Sequence, residues 1–264
     1  MVSANRMISL LGIPFDANSS YLRGTALAPP VIRQALFCDS SNLWSENGIH
    51  LRHLLRDEGD LEGAQSEVFN AIESKVESVL DSGNALISLG GDHSITYPVL
   101  RAFRKKYSRF GILHFDAHPD LYADFEGNPF SHASPFARIL ENGLADCLVQ
   151  VGIRTTNQHQ REQAAKYGVR MIEMKDCRNE LTVDFDVPVY ISFDIDGLDP
   201  AFAPGVAHPE AGGLSTRDAL RVIQSLKVPV IGADIVEFNP GKDVAGITAS
   251  VCAKLIKEIA SLML

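Results

Sequence analysis

The chain has four cysteines, Cys38, Cys147, Cys177 and Cys252, and no C-x-x-C pair among them. Neither a disulfide framework nor a thiolate zinc site is indicated, and the four read as buried or incidental thiols. Basic runs are also missing, the net charge is −9 and the pI is near 5.3. Duplex nucleic acid is gripped by clustered Lys and Arg, so no nucleic-acid partner is expected. No stretch approaches ~18 uninterrupted apolar residues, and the apolar part of the N-terminal MVSANRMISLLGIPFD is too short for a signal peptide. These absences predict no membrane span and a soluble, cytoplasmic protein. Repeats, low-complexity tracts and obvious linkers are lacking too, so residues 1–264 are expected to form one domain.

What the sequence does have is an apolar content of 45%, enough for a sizeable core. Short apolar runs recur at residues 8–12, 84–91, 110–116, 147–153, 187–196 and 228–236, separated by segments of helical period. Phe69, Ile72, Val76 and Leu80 follow helical spacing before Gly83 stops them, and Ile247, Val251, Leu255, Ile259 and Leu262 mark a C-terminal amphipathic helix. Apolar strands alternating with helices predict a three-layer α/β/α fold with a mainly parallel sheet.

Four of these runs end in side chains a core would not hold: Asp92 and His93; Asp116, His118 and Asp120; Asp194, Asp196 and Asp199; Asp234 and Glu237. In a parallel sheet all four empty onto the carboxyl edge, where ligands bind. HFDAHPD, residues 114–120, poses the problem most sharply. Read as extended chain, Asp116, His118 and Asp120 share a face, and such a cluster repels itself unless a cation sits within it. Asp199 before Pro200 and Asp92 have an equally good reading as turn formers. His93, Asp116, His118, Asp120, Asp194 and Asp196 remain, two imidazoles and four carboxylates. These exceed one tetrahedral zinc site and carry too much nitrogen for a simple calcium cage. Two ions sharing carboxylates fit better, and hard oxygen with some imidazole favours Mn(II). Paired ions lower the pKa of a shared water, so the implied chemistry is hydrolysis.

The motifs GGDHS, DAHPD, SFDIDGLDP and EFNP, in this order, resemble those of the ureohydrolases, the binuclear manganese family of arginase, agmatinase, guanidinobutyrase and formimidoylglutamase. The likeness covers almost the whole chain and is strongest to the plant-type arginase branch. It implies two Mn2+ per subunit, one on His93, Asp116, Asp120 and Asp194, the other on Asp116, His118, Asp194 and Asp196. It implies a small guanidino substrate paired with Glu237, and His132 passing a proton to the departing amine. His114 would lie a layer inward of the site. In this family the loop 121–131 grips the substrate's tail, with Asn128 and Ser131 placed to bond an α-carboxylate. His208 stands where many arginases and agmatinases have a threonine. The resemblance thus implies hydrolysis of L-arginine to urea and L-ornithine, with agmatine as the alternative substrate, by a homo-oligomer, a trimer or hexamer. A one-zinc deacetylase has no need of Glu237, and an inactive metal-storing module has no need of His132; the presence of both weighs against those classes.

Overall fold

The computed structural model describes residues 6–62, 67–177 and 181–264; residues 1–5, at the head of the N-terminal stretch MVSANRMISLLGIPFD, lie outside the described residues. Eight strands build one sheet: β1 (Ile8–Gly12), β2 (Leu55–Asp60), β3 (Ala85–Leu89), β4 (Gly111–Phe115), β5 (Cys147–Ile153), β6 (Arg170–Glu173), β7 (Val189–Asp194) and β8 (Val230–Val236). They lie in the order β2-β1-β3-β8-β7-β4-β5-β6, and every pairing is parallel. The helices between them are α1 (Ala28–Phe37), α2 (Val68–Asp81), α3 (Thr96–Lys106), α4 (Pro135–Glu141), α5 (Gln158–Tyr167), α6 (Thr216–Ser225) and α7 (Ile247–Ser261).

Two apolar layers result. Ile32 and Leu36 of α1, Leu220 and Ile223 of α6, and Leu255 and Ile259 of α7 pack on one face with Ile87, Phe115, Phe193 and Ile235. Ile72 and Val76 of α2, Val99 and Phe103 of α3, and Ile139 of α4 pack on the other with Leu86, Ile112 and Tyr190. Strands β3, β4, β7 and β8 are buried along their whole length, which explains their mainly apolar sequences. Local signals set the ends of the helices between them. A Ser215–Asp218 capping box opens α6, and Gly168 in the left-handed region (φ 66) closes α5.

The expected α/β/α fold is the one observed, with two strands added that the apolar pattern does not reveal. Those are β2 (LRDEGD) and β6 (RMIE), the two borders of the sheet. A border strand faces solvent and is held by backbone pairing, so charged side chains suit it. No described helix is long and apolar enough to cross a membrane, and the four cysteines are free thiols.

The strand register aligns polar side chains across the sheet. His114 of β4 lies opposite Gln150 of β5 and Ser192 of β7, Ser192 opposite Asp234 of β8, and Asp234 opposite Ser88 of β3. A buried polar row therefore crosses five adjacent strands just short of their carboxyl ends.

Candidate metal centre and catalytic cavity

Beyond that row the four central strands deliver their acidic ends side by side. Phe115 pairs with Phe193 and Asp194 with Val236, so Asp116, Asp194 and Glu237 follow at neighbouring positions. His93 arrives from the turn after β3. That turn needs Gly91, because a Cβ there would stand 1.8 Å from the Phe15 carbonyl oxygen. Asp92 caps the turn, accepting from Ser94 N at 3.0 Å and Asn18 N at 2.9 Å. Asp199 likewise accepts from the backbone N–H groups of Ala201, Gly212 and Gly213. Both follow their turn-forming reading.

The mechanism of convergence differs from simple strand alternation. β4 ends at Phe115, and Asp116–Asp120 fold into a turn with Asp120 at φ 52. His118 N donates to Asp116 Oδ1 at 2.6 Å, and Asp196 N donates to Asp194 Oδ1 at 2.8 Å. Each leading aspartate thus fixes the residue two places on through its own backbone, a habit of Asp in turns.

All six expected metal-ligating residues gather here. His93 Nδ1 faces Asp120 Oδ2 at 3.0 Å, Asp194 Oδ2 at 3.3 Å and Asp116 Oδ2 at 3.4 Å. His118 Nδ1 faces Asp196 Oδ2 at 3.2 Å and Asp116 Oδ1 at 3.3 Å. Asp116 thereby turns one oxygen to each imidazole. His93 Nδ1 is buried and makes no hydrogen bond. Its other nitrogen, Nε2, is 3.0 Å from Ser192 Oγ, which donates to Asp234 Oδ1 at 2.8 Å. Asp234 also accepts from Thr96 and Tyr190 hydroxyls, and since Ser192 spends its own proton on Asp234 its oxygen is left to accept the Nε2 proton. The Nδ1 lone pair is left pointing into carboxylates.

Burial favours a neutral His93, but Asp116, Asp120 and Asp194 lift that imidazole well above its ordinary value, so the cluster calls for positive charge at Nδ1, a proton or a bound cation. The electrostatics agree: burial, then Asp196 and Asp116, drive Asp194 well above the usual carboxylate range. Burial also raises Asp196 to about 6, with His118 opposing and Asp116 adding to the rise. This donor set fits divalent ions of oxygen and imidazole preference. His114, placed a layer inward by the sequence reading, holds Asp116 Oδ2 through Nε2 at 2.9 Å while Gln150 Nε2 donates to its Nδ1 at 3.0 Å.

Glu237, itself left-handed (φ 63), accepts from His93 N and from His132 Nδ1, both at 2.9 Å. Burial works against the Glu237 carboxylate, yet His132 holds it below the usual range. Burial likewise favours a neutral His132, but Glu237 lifts that imidazole to about 9. Ser20 Oγ lies 2.8 Å from the far nitrogen of His132.

The cavity over these groups measures about 240 Å3, room for a small molecule. His118, Asp194, Asp196, His132, His208 and Glu237 form its inner half. Tyr122, Phe125, Thr155, Thr156, Asn157 and Gln160 form the outer half. Asn128 and Ser131 do not line it, contrary to the role expected of them. Asn128 spends its amide on Asn18 Oδ1 (3.2 Å) and Phe130 N (2.9 Å), and Ser131 is buried and accepts from Ala133 N. Tyr122 and Phe125 fall in the loop 121–131 expected to grip the substrate's tail, whereas Thr155, Thr156, Asn157 and Gln160 escape sequence reasoning because threonines and amides carry no periodic signal. Ser192, Asp234 and Gln150 do leave one, a lone polar residue inside each apolar run.

Known proteins place this geometry. The arginase family model matches residues 6–261. Arginase 1, mitochondrial, of Arabidopsis thaliana is 46% identical over 98% of this chain and 81% of its own length. A guanidinobutyrase of Pseudomonas aeruginosa is 33% identical over 95% of this chain and 84% of its own. The solved structure of arginase from Medicago truncatula superposes with a TM-score of 0.93 at 46% identity, covering 98% of this chain and 87% of that one. The plant relatives are named as mitochondrial proteins, which overturns the expectation of a cytoplasmic protein. That expectation rested on lacking a secretory or membrane segment, and such a lack says nothing about organelles. By sequence and by fold, this chain belongs to the arginase family.

Proposed function

We propose that this protein is an arginase, hydrolysing a guanidino C–N bond of L-arginine to give urea and L-ornithine on a pair of divalent ions, Mn2+ by preference. The observation that carries the reading is the buried His93 Nδ1, unpaired and ringed by three carboxylate oxygens. In this reading His93, Asp116, Asp120 and Asp194 hold one ion, and Asp116, His118, Asp194 and Asp196 the other. Bound there, the ions would supply a water acidified enough to attack at neutral pH.

The chain's own groups do the rest. Glu237 offers a carboxylate to the planar donors of the guanidino group. His132, charged by its contact with Glu237 and oriented by Ser20, gives a proton to the departing amine and regains one from the water consumed in the hydrolysis. At the outer half, hydroxyls of Tyr122, Thr155 and Thr156 and the amides of Asn157 and Gln160 can donate to an α-carboxylate. Agmatine lacks that group and would forgo those bonds, and because Asn157 Nδ2 keeps its own bond to Tyr122 Oη the loss falls on the donors still free. This favours arginine over agmatine. We read residues 1–264 as one domain, since a single sheet threads the described residues, and as a homo-oligomer on the likeness to ureohydrolases.

A urea assay on Mn-loaded protein across L-arginine, agmatine, 4-guanidinobutyrate and formiminoglutamate, with elemental analysis, tests this. Arginine is expected to be cleaved fastest with two ions per chain. Faster release of urea from agmatine overturns the substrate, and loss of fewer than both ions in Asp116→Ala overturns the bridging role.

A further inference from the structure

His208 lines the inner half of the cavity and has no part in the hydrolysis assigned to the ions, Glu237 and His132. Its ring centroid lies 5.4 Å from that of His132, 6.1 Å from His118 and 5.5 Å from Tyr21. It therefore lies in the same cavity within about one ring's reach of both the imidazole of the acidic cluster and the imidazole paired with Glu237. No hydrogen bond to a described residue holds the ring, unlike His93, His114 and His132. A half-buried imidazole without a polar partner, facing a cavity otherwise rich in carboxylates, offers a flat π-face to whatever enters. The inner half also carries Asp194, Asp196 and Glu237, which select a cation. A cation that is itself flat can meet the carboxylates with its edge and an aromatic ring with its face at once, and among biological cations guanidinium has this shape.

We propose that His208 is a substrate-binding, specificity-determining residue, the aromatic plate on which the guanidino group stacks while Glu237 takes its N–H edge. This rests on the arginase reading but adds a distinct claim: the ring's planarity, not its basicity, is what the site uses. Tyr21, largely exposed, packs against the ring at a 52° tilt.

The test compares parent, His208→Ala and His208→Phe, all loaded with Mn2+ and checked for equal metal content. Two readouts are needed: KM and kcat for L-arginine, and calorimetric binding of guanidinium ion, which needs no turnover. His208→Ala should raise KM and weaken guanidinium binding, each about tenfold, with kcat within about threefold of the parent. His208→Phe keeps a flat face and should stay within about threefold on both. The proposal fails if Ala leaves KM and guanidinium binding unchanged, or if Phe is as impaired as Ala. It also fails if either variant loses metal. Guanidinium binding that depends on His208 in a protein that releases no urea would sink the arginase reading and leave this one standing.

Discussion

His93 owes its value to a proton it keeps on the side away from the acidic cluster. Ser192 accepts that proton and passes the polarity to Asp234, so the tautomer is set two residues behind the site. Removing the Ser192 hydroxyl frees the imidazole to turn or to protonate at Nδ1, where Asp116, Asp120 and Asp194 would welcome the charge. Ser192→Ala should therefore weaken metal binding by about 10–100-fold, the usual cost of losing a partner behind a ligand. Competition with a fluorescent chelator measures it on the purified protein without reference to activity. Unchanged affinity would mean that the backbone alone orients His93. The six proposed ligands are legible in the sequence because Asp and His cannot end apolar runs for packing reasons. Ser192 and Asp234 are visible there as polar interruptions, but their task is not. Only the register, with His114, Ser192 and Asp234 abreast, reveals which side chains share a row.

Strands and turns are legible unevenly. The four central strands announce themselves, being buried on both faces, whereas β2 and β6 are held by backbone bonds that any sequence can make. The alternation argument for Asp116, His118 and Asp120 names the right residues for an incomplete reason. The strand stops at Phe115, and side-chain-to-backbone bonds in the turn beyond it aim the group. The turn after β3 shows how tightly such elements are fitted. Gly90 has Val236 Cγ1 2.6 Å from where its Cβ would be, and Gly91 has the backbone of Phe15 at 1.8 Å. A flexible side chain can yield at Gly90; a carbonyl bonded to Asp92 N at 2.8 Å cannot at Gly91. Gly91→Ala should cost about 1–3 kcal/mol or more through overpacking. It should also displace His93, so that metal affinity falls together with Tm. A variant with normal Tm and normal metal content would show that the turn has slack.

Metal binding and the fold are linked because the proposed ligands come from three separate stretches of chain. His93 follows β3, Asp116 to Asp120 follow β4, and Asp194 ends β7 with Asp196 in the turn just after it. Without cations, folding must bury four carboxylates within reach of one another, and Asp194 and Asp196 are pushed toward their protonated forms. The unfolded chain separates these groups in water, so Asp194 and Asp196 favour unfolding at neutral pH until a cation joins them, whereas Asp116, held low against burial by His114, His118 and His93, does not. An ion held only by the assembled site stabilises the native state by RT ln(1 + [L]/Kd), about 2.7 kcal/mol at a hundred times Kd. At roughly 2–4 °C per kcal/mol for a chain of this size, each saturating ion should raise Tm by roughly 5–10 °C. Calorimetric scans of chelator-treated protein, with and without Mn2+ at matched ionic strength, measure the rise, and Mg2+ serves as the control for screening. Asp116→Ala should abolish most of it, because that carboxylate faces both imidazoles. If Mn2+ left Tm where the chelator put it, the acidic rim would be folded as tightly without ions as with them, and its side chains would need another purpose.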